Sequence, residues 1–230
     1  MKNTIRAFLA LCLLSVMLYS GYRLWLVQAD YKQEAGLHSE VMEYKPREDE
    51  PANQSVIDLR AKYPDVVGWL TVPGTNIDYP FVQAGDNDYY LRRDLNGEYA
   101  KAGTLFLDCR CRPDFTSRNT IIYGHHMKNG SMFGTLKAFA DKDFFDVNRC
   151  GTIYLPYETL ALEFFAYLVV QSDDRTIYSP APGGDYLDYV KQNARNYRDV
   201  GLTEGDRIVT LSTCAYEFDG ARMVLLARAV

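Results

Sequence analysis

Eight short strand-like runs between residues 67 and 229 most constrain what this chain folds into: Val67 to Val72, Ile77 to Val82, Thr104 to Asp108, Thr120 to Tyr123, Thr152 to Tyr157, Leu160 to Gln171, Arg207 to Thr213 and Met223 to Ala229. They are rich in Val, Ile, Leu and aromatics and are bounded by Gly, Pro, Asn and Asp. Helical patterns intervene at Val56 to Tyr63, where Ser55 is expected to cap with Asp58 at the third position, and at Asn87 to Arg92, Met132 to Asp141 and Asp185 to Asn196. Many short strands with a few interposed helices predict a mainly β fold whose sheet closes on itself. No internal repeat or low-complexity tract is evident.

The N-terminus obeys a different pattern. Lys2 and Arg6 precede sixteen uncharged, mostly apolar residues from Ala7 to Tyr22. A helix of that run spans only ~24 Å, short of a hydrocarbon core of ~30 Å. Arg23 can snorkel while Leu24, Trp25, Leu26 and Val27 lengthen the span, with Trp25 suited to the interface. Two readings stay open on the residues alone: a retained anchor with the N-terminus inside, or a signal peptide cleaved after Val27-Gln28-Ala29. Either one exports the rest. From Gln28 to Gln54 the chain is charged, and Pro46 and Pro51 break any helix, which reads as a stalk. The expected organisation is an anchor over residues 1–29, a stalk over 30–55 and one domain over 56–230. The roughly 175 residues of that domain suffice for a single core burying roughly 70% of the unfolded surface. The net charge of −5, with no basic stripe and no phosphate-cradling glycine loop, argues against nucleic acid.

Chemistry concentrates near the C-terminus, in Thr210-Leu211-Ser212-Thr213-Cys214 followed by Ala-Tyr-Glu-Phe-Asp-Gly-Ala-Arg222. Arg207 to Thr213 is a strand pattern, Asp219-Gly220 a turn and Met223 to Val230 a returning strand, so a thiol and a permanent cation face each other across a hairpin. A guanidinium or imidazolium favours the nucleophilic thiolate. The residues alone leave Cys214 either a small buried hydrophobe or a nucleophile. Thr210 and Ser212 on its strand face suit a polar cleft.

A base is also required, and the chain has three histidines, His38, His125 and His126. His38 lies in the stalk. His125 and His126 follow the strand Asn119-Thr-Ile-Ile-Tyr and a Gly124 expected to let the chain turn sharply. Neighbours on extended backbone point to opposite faces, so only one of them can face Cys214.

Five cysteines are an odd number for an exported chain. Cys12 falls in the apolar run, and one residue separates Cys109 from Cys111, too few for an unstrained bridge. Cys109, Cys111, His125 and His126 have the ligand types of a metal site, but their spacing matches no common zinc module, and no metal is expected. Free thiols, or a partnership involving Cys150, are the simpler reading.

Thr210-Leu-Ser-Thr-Cys214 with the downstream Arg222 and the upstream Gly124-His125 resembles the signature of the sortases, cysteine transpeptidases of Gram-positive surfaces. Gly68-Trp-Leu-Thr-Val-Pro-Gly-Thr-Asn-Ile-Asp-Tyr-Pro80, Asn87-Asp-Tyr-Tyr-Leu91 and Thr120-Ile-Ile-Tyr-Gly-His-His-Met-Lys-Asn-Gly-Ser-Met-Phe133 resemble class B in particular. The resemblance runs from about Val56 to Val230. It implies an eight-stranded β-barrel behind an uncleaved N-terminal transmembrane helix, with a long helix from Asp185 to Asn196 in the loop before the cysteine strand. It implies catalysis by Cys214, His125 and Arg222, peptide contacts from Asn87, Leu91, Thr176, Tyr178 and Ser212, and no cofactor.

The implied partners are the sorting-motif peptide of a secreted surface protein and an amine of peptidoglycan or its lipid-linked precursor. The implied location is the cell membrane, single-pass, with the N-terminus cytoplasmic and the catalytic domain outside. Competing classes are a pilin-polymerising sortase, another cell-wall cysteine peptidase, an L,D-transpeptidase and a non-catalytic surface module. An L,D-transpeptidase usually carries Gly where Thr213 stands, and a papain-like enzyme places Cys before His, the reverse of the order here.

Overall fold

Hydrophobic strands pair, most of them antiparallel, into one sheet, in a computed structural model that describes residues 2–47, 51–215 and 219–230. The strands are β1 (Val66–Val72), β2 (Ile77–Val82), β3 (Leu105–Leu107), β4 (Asn119–Tyr123), β5 (Cys150–Tyr154), β6 (Thr159–Gln171), β7 (Asn196–Tyr197), β8 (Arg207–Cys214) and β9 (Ala221–Ala229). Their order is β5-β1-β2-β3-β4-β8-β9-β6-β7, and β5 also pairs with β6. Eight strands therefore close into a barrel, and β7 is a two-residue addition to the outside of β6. Closure removes the sheet edges that would otherwise need protection.

Many rings are buried within and around the barrel. Trp69, Phe81, Phe133, Phe139, Phe145, Phe164, Phe165 and Tyr167 are all fully buried. The one polar atom of Trp69, Nε1–H, is satisfied by Asp78 at 2.7 Å.

All eight expected strands are present, and the helices depart from expectation in instructive ways. Helix α2 spans Gln54–Lys62 and begins ahead of Ser55. Asn53 precedes it in left-handed conformation, and its side chain does not cap the helix. That amide instead donates to the carbonyls of Leu155 (2.6 Å) and Glu158 (3.2 Å) in the turn between β5 and β6. A tertiary hydrogen bond has displaced the local capping box.

Only Tyr89–Arg92 of the Asn87 to Arg92 pattern is helical, as a 3-10 turn. Met132 to Asp141 splits. A 3-10 helix, Leu136–Ala140, ends where the Asp141 carboxylate accepts from the Phe144 N–H at 2.9 Å and starts α3, Lys142–Val147. The expected long loop helix is shorter, α4 at Tyr186–Asn193, because Asn196 leaves it to pair in β7.

Two compact units make up the chain, one ending at Glu40 and one spanning Val41–Val230. The first is the helix α1, Lys2–Val41, whose apolar stretch is long enough to cross a membrane. Helix thus continues through half of the expected stalk. It gives way to a 3-10 turn, Met42–Tyr44, and stops at an extended Lys45, as the clash of the following Pro46 ring with helical backbone requires.

The second unit begins at Val41, ahead of the division expected at Val56. Val41 is buried, Lys45 pairs with Asp78 at 2.5 Å, and Asn53 is held as above, so the last part of the segment read as stalk packs as part of the barrel unit. Glu48 to Glu50 of that segment lie outside the described residues.

Candidate active site

Two parallel neighbours and one antiparallel return bring the chemistry to one end of the barrel. β4 runs parallel to β8 with Tyr123 opposite Ser212, and the Gly124 N–H extends the ladder by donating to the Ser212 carbonyl at 3.1 Å. His125 therefore leaves β4 where Cys214 ends β8. β9 returns antiparallel with Arg222 directly opposite Cys214, and the Ala215 N–H donates to the Ala221 carbonyl at 2.9 Å just beyond them. The cross-hairpin pairing of thiol and cation follows from this register. Tyr216 to Phe218, in the connection, lie outside the described residues.

Gly124 is needed for a different reason than expected. Its φ is not positive; instead a Cβ there would lie 2.4 Å from Leu105 Cδ2 and 2.8 Å from Phe133 Cδ2. Any side chain would push the His125 segment off the barrel.

A cleft of about 390 Å³ opens at this end, lined by Cys214, His125 and Arg222 together. Of the expected peptide contacts, Asn87, Leu91, Tyr178 and Ser212 also line it. Thr176 does not. It is half-buried in a turn, where its N–H donates to the Asp174 carboxylate at 3.0 Å. Thr210, on the same strand face, is fully buried and donates to Asn119 Oδ1 at 2.6 Å, so the polar character of that face serves both core and cleft. All five cysteines are free.

The two histidines have divided roles. His125 Nε2 lies 2.6 Å from the Leu91 carbonyl, which only accepts, so Nε2 carries the proton and Nδ1 is the basic nitrogen of the neutral ring. Burial lowers the His125 pKa from 6.5, the Leu91 hydrogen bond opposes this, and nearby Arg92 lowers it further. Neutral imidazole is thus the resting form at pH 7. His126 turns away from the cleft, and its Nδ1–H donates to the backbone carbonyl of Cys214 at 3.0 Å. Arg222 is half-buried, with Nη1 donating to the Ala221 carbonyl at 3.1 Å.

A group that sequence reasoning passed over supports the cleft wall. Asp108, whose side chain is 0% exposed, accepts Arg110 Nε at 2.9 Å, Arg110 Nη2 at 2.7 Å and the Tyr123 hydroxyl at 2.9 Å. Burial alone would raise the Asp108 pKa, but these hydrogen bonds outweigh it and leave it below the usual carboxylate value. The Tyr123 ring stacks on Tyr178 with centroids 6.1 Å apart, and the Tyr178 hydroxyl meets Ser212 Oγ at 2.8 Å. Burial pushes the Tyr178 phenol up to about 12, so it stays protonated. Nothing in the sequence marks Asp108, because a lone Asp after a strand reads as an ordinary turn residue.

Residues 70–230 match the family model described as the sortase domain. The curated Sortase B of Listeria monocytogenes is 34% identical over 241 residues, covering 100% of this chain and 98% of that protein. The chain belongs to the sortase family, class B. Solved relatives agree on the fold of this sortase. A sortase B from Bacillus anthracis, in complex with AAEK1, is 34% identical with a TM-score of 0.75, covering 88% of this chain and 98% of that one. A Staphylococcus aureus sortase B–substrate complex is 27% identical with a TM-score of 0.78 over 88% of this chain and 98% of that one. The sortase is accordingly a cysteine transpeptidase of surface proteins, acting on sorting-motif substrates.

Proposed function

We propose that Cys214, His125 and Arg222 carry the transpeptidation and that the acceptor is an amine of peptidoglycan or its lipid-linked precursor. The observation that carries this reading is the convergence of all three residues on one cleft, with Cys214 and Arg222 in direct register. Neutral His125 takes the thiol proton on Nδ1. The thiolate adds to the scissile carbonyl, and the negative charge moves to its oxygen. His125, now imidazolium, gives the proton to the departing amine as the C–N bond breaks, leaving a thioester on Cys214. The incoming amine then adds, His125 removes its proton, and the thiolate is expelled as the new amide forms. Proton and electron pairs balance within the site, so the cycle needs no cofactor.

Arg222 donates to the substrate carbonyl or the developing oxyanion. Asn87, Leu91, Tyr178 and Ser212 form the wall against which the peptide lies, and Thr176 contributes through the turn that carries Tyr178. Helix α1 anchors the sortase with its N-terminus cytoplasmic, since Lys2 and Arg6 precede the apolar stretch, and the barrel faces outward.

The test is to trap the intermediate. Mixing the chain with a quenched-fluorophore peptide selected from a library, then measuring intact mass, should give a hydroxylamine-labile adduct that maps to Cys214. An adduct on Cys109 or Cys150, or transfer with no adduct, would overturn the assignment.

Arg222 permits a sharper check. Arg222→Ala should lower kcat by about 10²- to 10³-fold, the usual cost of one oxyanion donor. Arg222→Lys should not restore it, because an ammonium lacks the planar fork of donors. Near-native turnover in the Lys variant would reduce Arg222 to a charge that favours the thiolate.

A further inference from the structure

We propose that Arg110, pinned by Asp108, is a positioning residue for substrate: from outside the cleft it holds Tyr178 in the cleft wall and so sets the affinity for the sorting peptide without taking part in bond making. The inference rests on the reading above that the peptide lies along this cleft.

Arg110 is not among the residues lining the cleft, and its side chain is 54% exposed. Its Nε and Nη2 form a fork on the buried Asp108 carboxylate, which fixes the guanidinium plane. From that fixed plane Nη2 also donates to the Tyr178 carbonyl at 3.1 Å, across 68 residues of chain. The same carboxylate receives the Tyr123 hydroxyl, and the Tyr123 ring lies on the Tyr178 ring. Tyr178 is therefore held at its carbonyl by Arg110, at its ring face by Tyr123 and at its hydroxyl by Ser212. Two of those three supports originate at the Asp108–Arg110 pair, and the third belongs to β8, two residues before the nucleophile.

The surrounding loop has its own scaffolding. Asn119 Nδ2 donates to the carbonyls of Ile177 (2.9 Å) and Ser179 (3.0 Å), and the Asp174 carboxylate accepts the N–H groups of Thr176 and Ile177 and the Tyr189 hydroxyl. Removing Arg110 leaves that scaffolding whole, so what changes is the aim of Tyr178 and not the fold of the loop. A fully desolvated carboxylate is a costly anchor for a surface arginine that served no further purpose. Its use here is to give an exposed guanidinium a rigid base from which to reach the loop.

The experiment compares wild type, Arg110→Ala, Tyr178→Ala and the double variant, using the library-selected quenched-fluorophore peptide and, separately, alkylation of Cys214 by iodoacetamide. Arg110→Ala should raise KM about five- to tenfold, the scale of losing one ordinary hydrogen bond, with kcat and the alkylation rate within about twofold of wild type. The double variant should be no worse than Tyr178→Ala alone, because Arg110 acts only through Tyr178. An unchanged KM, losses that add in the double variant, or a fall in kcat and alkylation rate without a KM effect would each overturn the proposal. Should Arg110→Ala not fold, Arg110→Lys retains a cation beside Asp108 but not the fork, and a KM equal to wild type in that variant overturns the proposal equally. If wild type forms its adduct on Cys214 while the Arg110 variants keep native KM, this proposal alone fails. If wild type forms none, the reading of the site fails first.

Discussion

Cys214→Ala abolishes both cleavage and transfer, with a loss on the order of 10⁴-fold or more, because no other group in the cleft supplies a thiolate. The fold survives: the side chain is half-buried at the end of β8, and the change deletes one sulfur. Circular dichroism melting of the variant should match wild type within a few degrees, and turnover of the selected peptide should fall to background. Cys109→Ala and Cys111→Ala keep most activity. Cys111 is buried, its Sγ donates to the Asn119 carbonyl at 3.4 Å, and burial pushes its thiol up to about 11, which makes it inert. Turnover retained by Cys214→Ala and lost by Cys109→Ala would show the nucleophile to be misassigned.

His125→Ala comes next in size. General acid-base catalysis alone is worth about 10²- to 10⁴-fold, and in the proposed cycle one imidazole serves both half-reactions. His126→Ala should cost far less, since its ring bonds to the Cys214 backbone carbonyl. Equal losses, or the reverse ranking, would overturn the assignment. The pH dependence carries a sign that can be checked in the same assay. Burial lowers the His125 pKa below 6.5, so the basic form persists further into acid than in an ordinary histidine. Activity should fall as pH drops through that lowered value, and the acid limb of kcat/KM should have its midpoint below 6.5. A midpoint above 6.5 would mean that the ring is stabilised as imidazolium.

Strand positions and the pairing of Cys214 with Arg222 were legible because both are written in local pattern. Alternation over residues 207–213 and 223–229 with a turn between them is enough to place Arg222 opposite Cys214, and the observed register does so residue for residue. What failed was local in appearance but tertiary in cause. Ser55 and Asp58 look like a capping box, yet Asn53 starts the helix while its amide bonds to Leu155 and Glu158, more than a hundred residues away. Gly124 looks like a turn glycine, yet its constraint comes from Leu105 and Phe133. Asp108 and Arg110 were passed over for the same reason. Their meaning depends on Tyr178, 68 residues downstream of Arg110, and no window on the sequence spans that distance. Thr176 shows the limit of alignment by motif in a Pro- and Gly-rich loop: the neighbouring Tyr178 reaches the cleft and Thr176 does not.

The parallel pairing of β4 with β8 has a consequence for the order in which the protein comes alive. Parallel neighbours cannot be joined by a tight turn, and here the connection runs from Gly124 to Asp206, most of the second half of the chain. β8 must then find β9, which ends at Ala229, one residue from the last. Loop closure over such separations is slow, and it precedes the contacts that reward it. Cys214 and His125 meet only when β8 pairs with β4, and Arg222 joins them only when β9 is threaded between β6 and β8. A chain that lacks the β9 segment keeps the residues of β4 and β8 but has no Arg222 opposite Cys214. Cys214 and Arg222 therefore stand opposite one another only once β9 is in place beside β8.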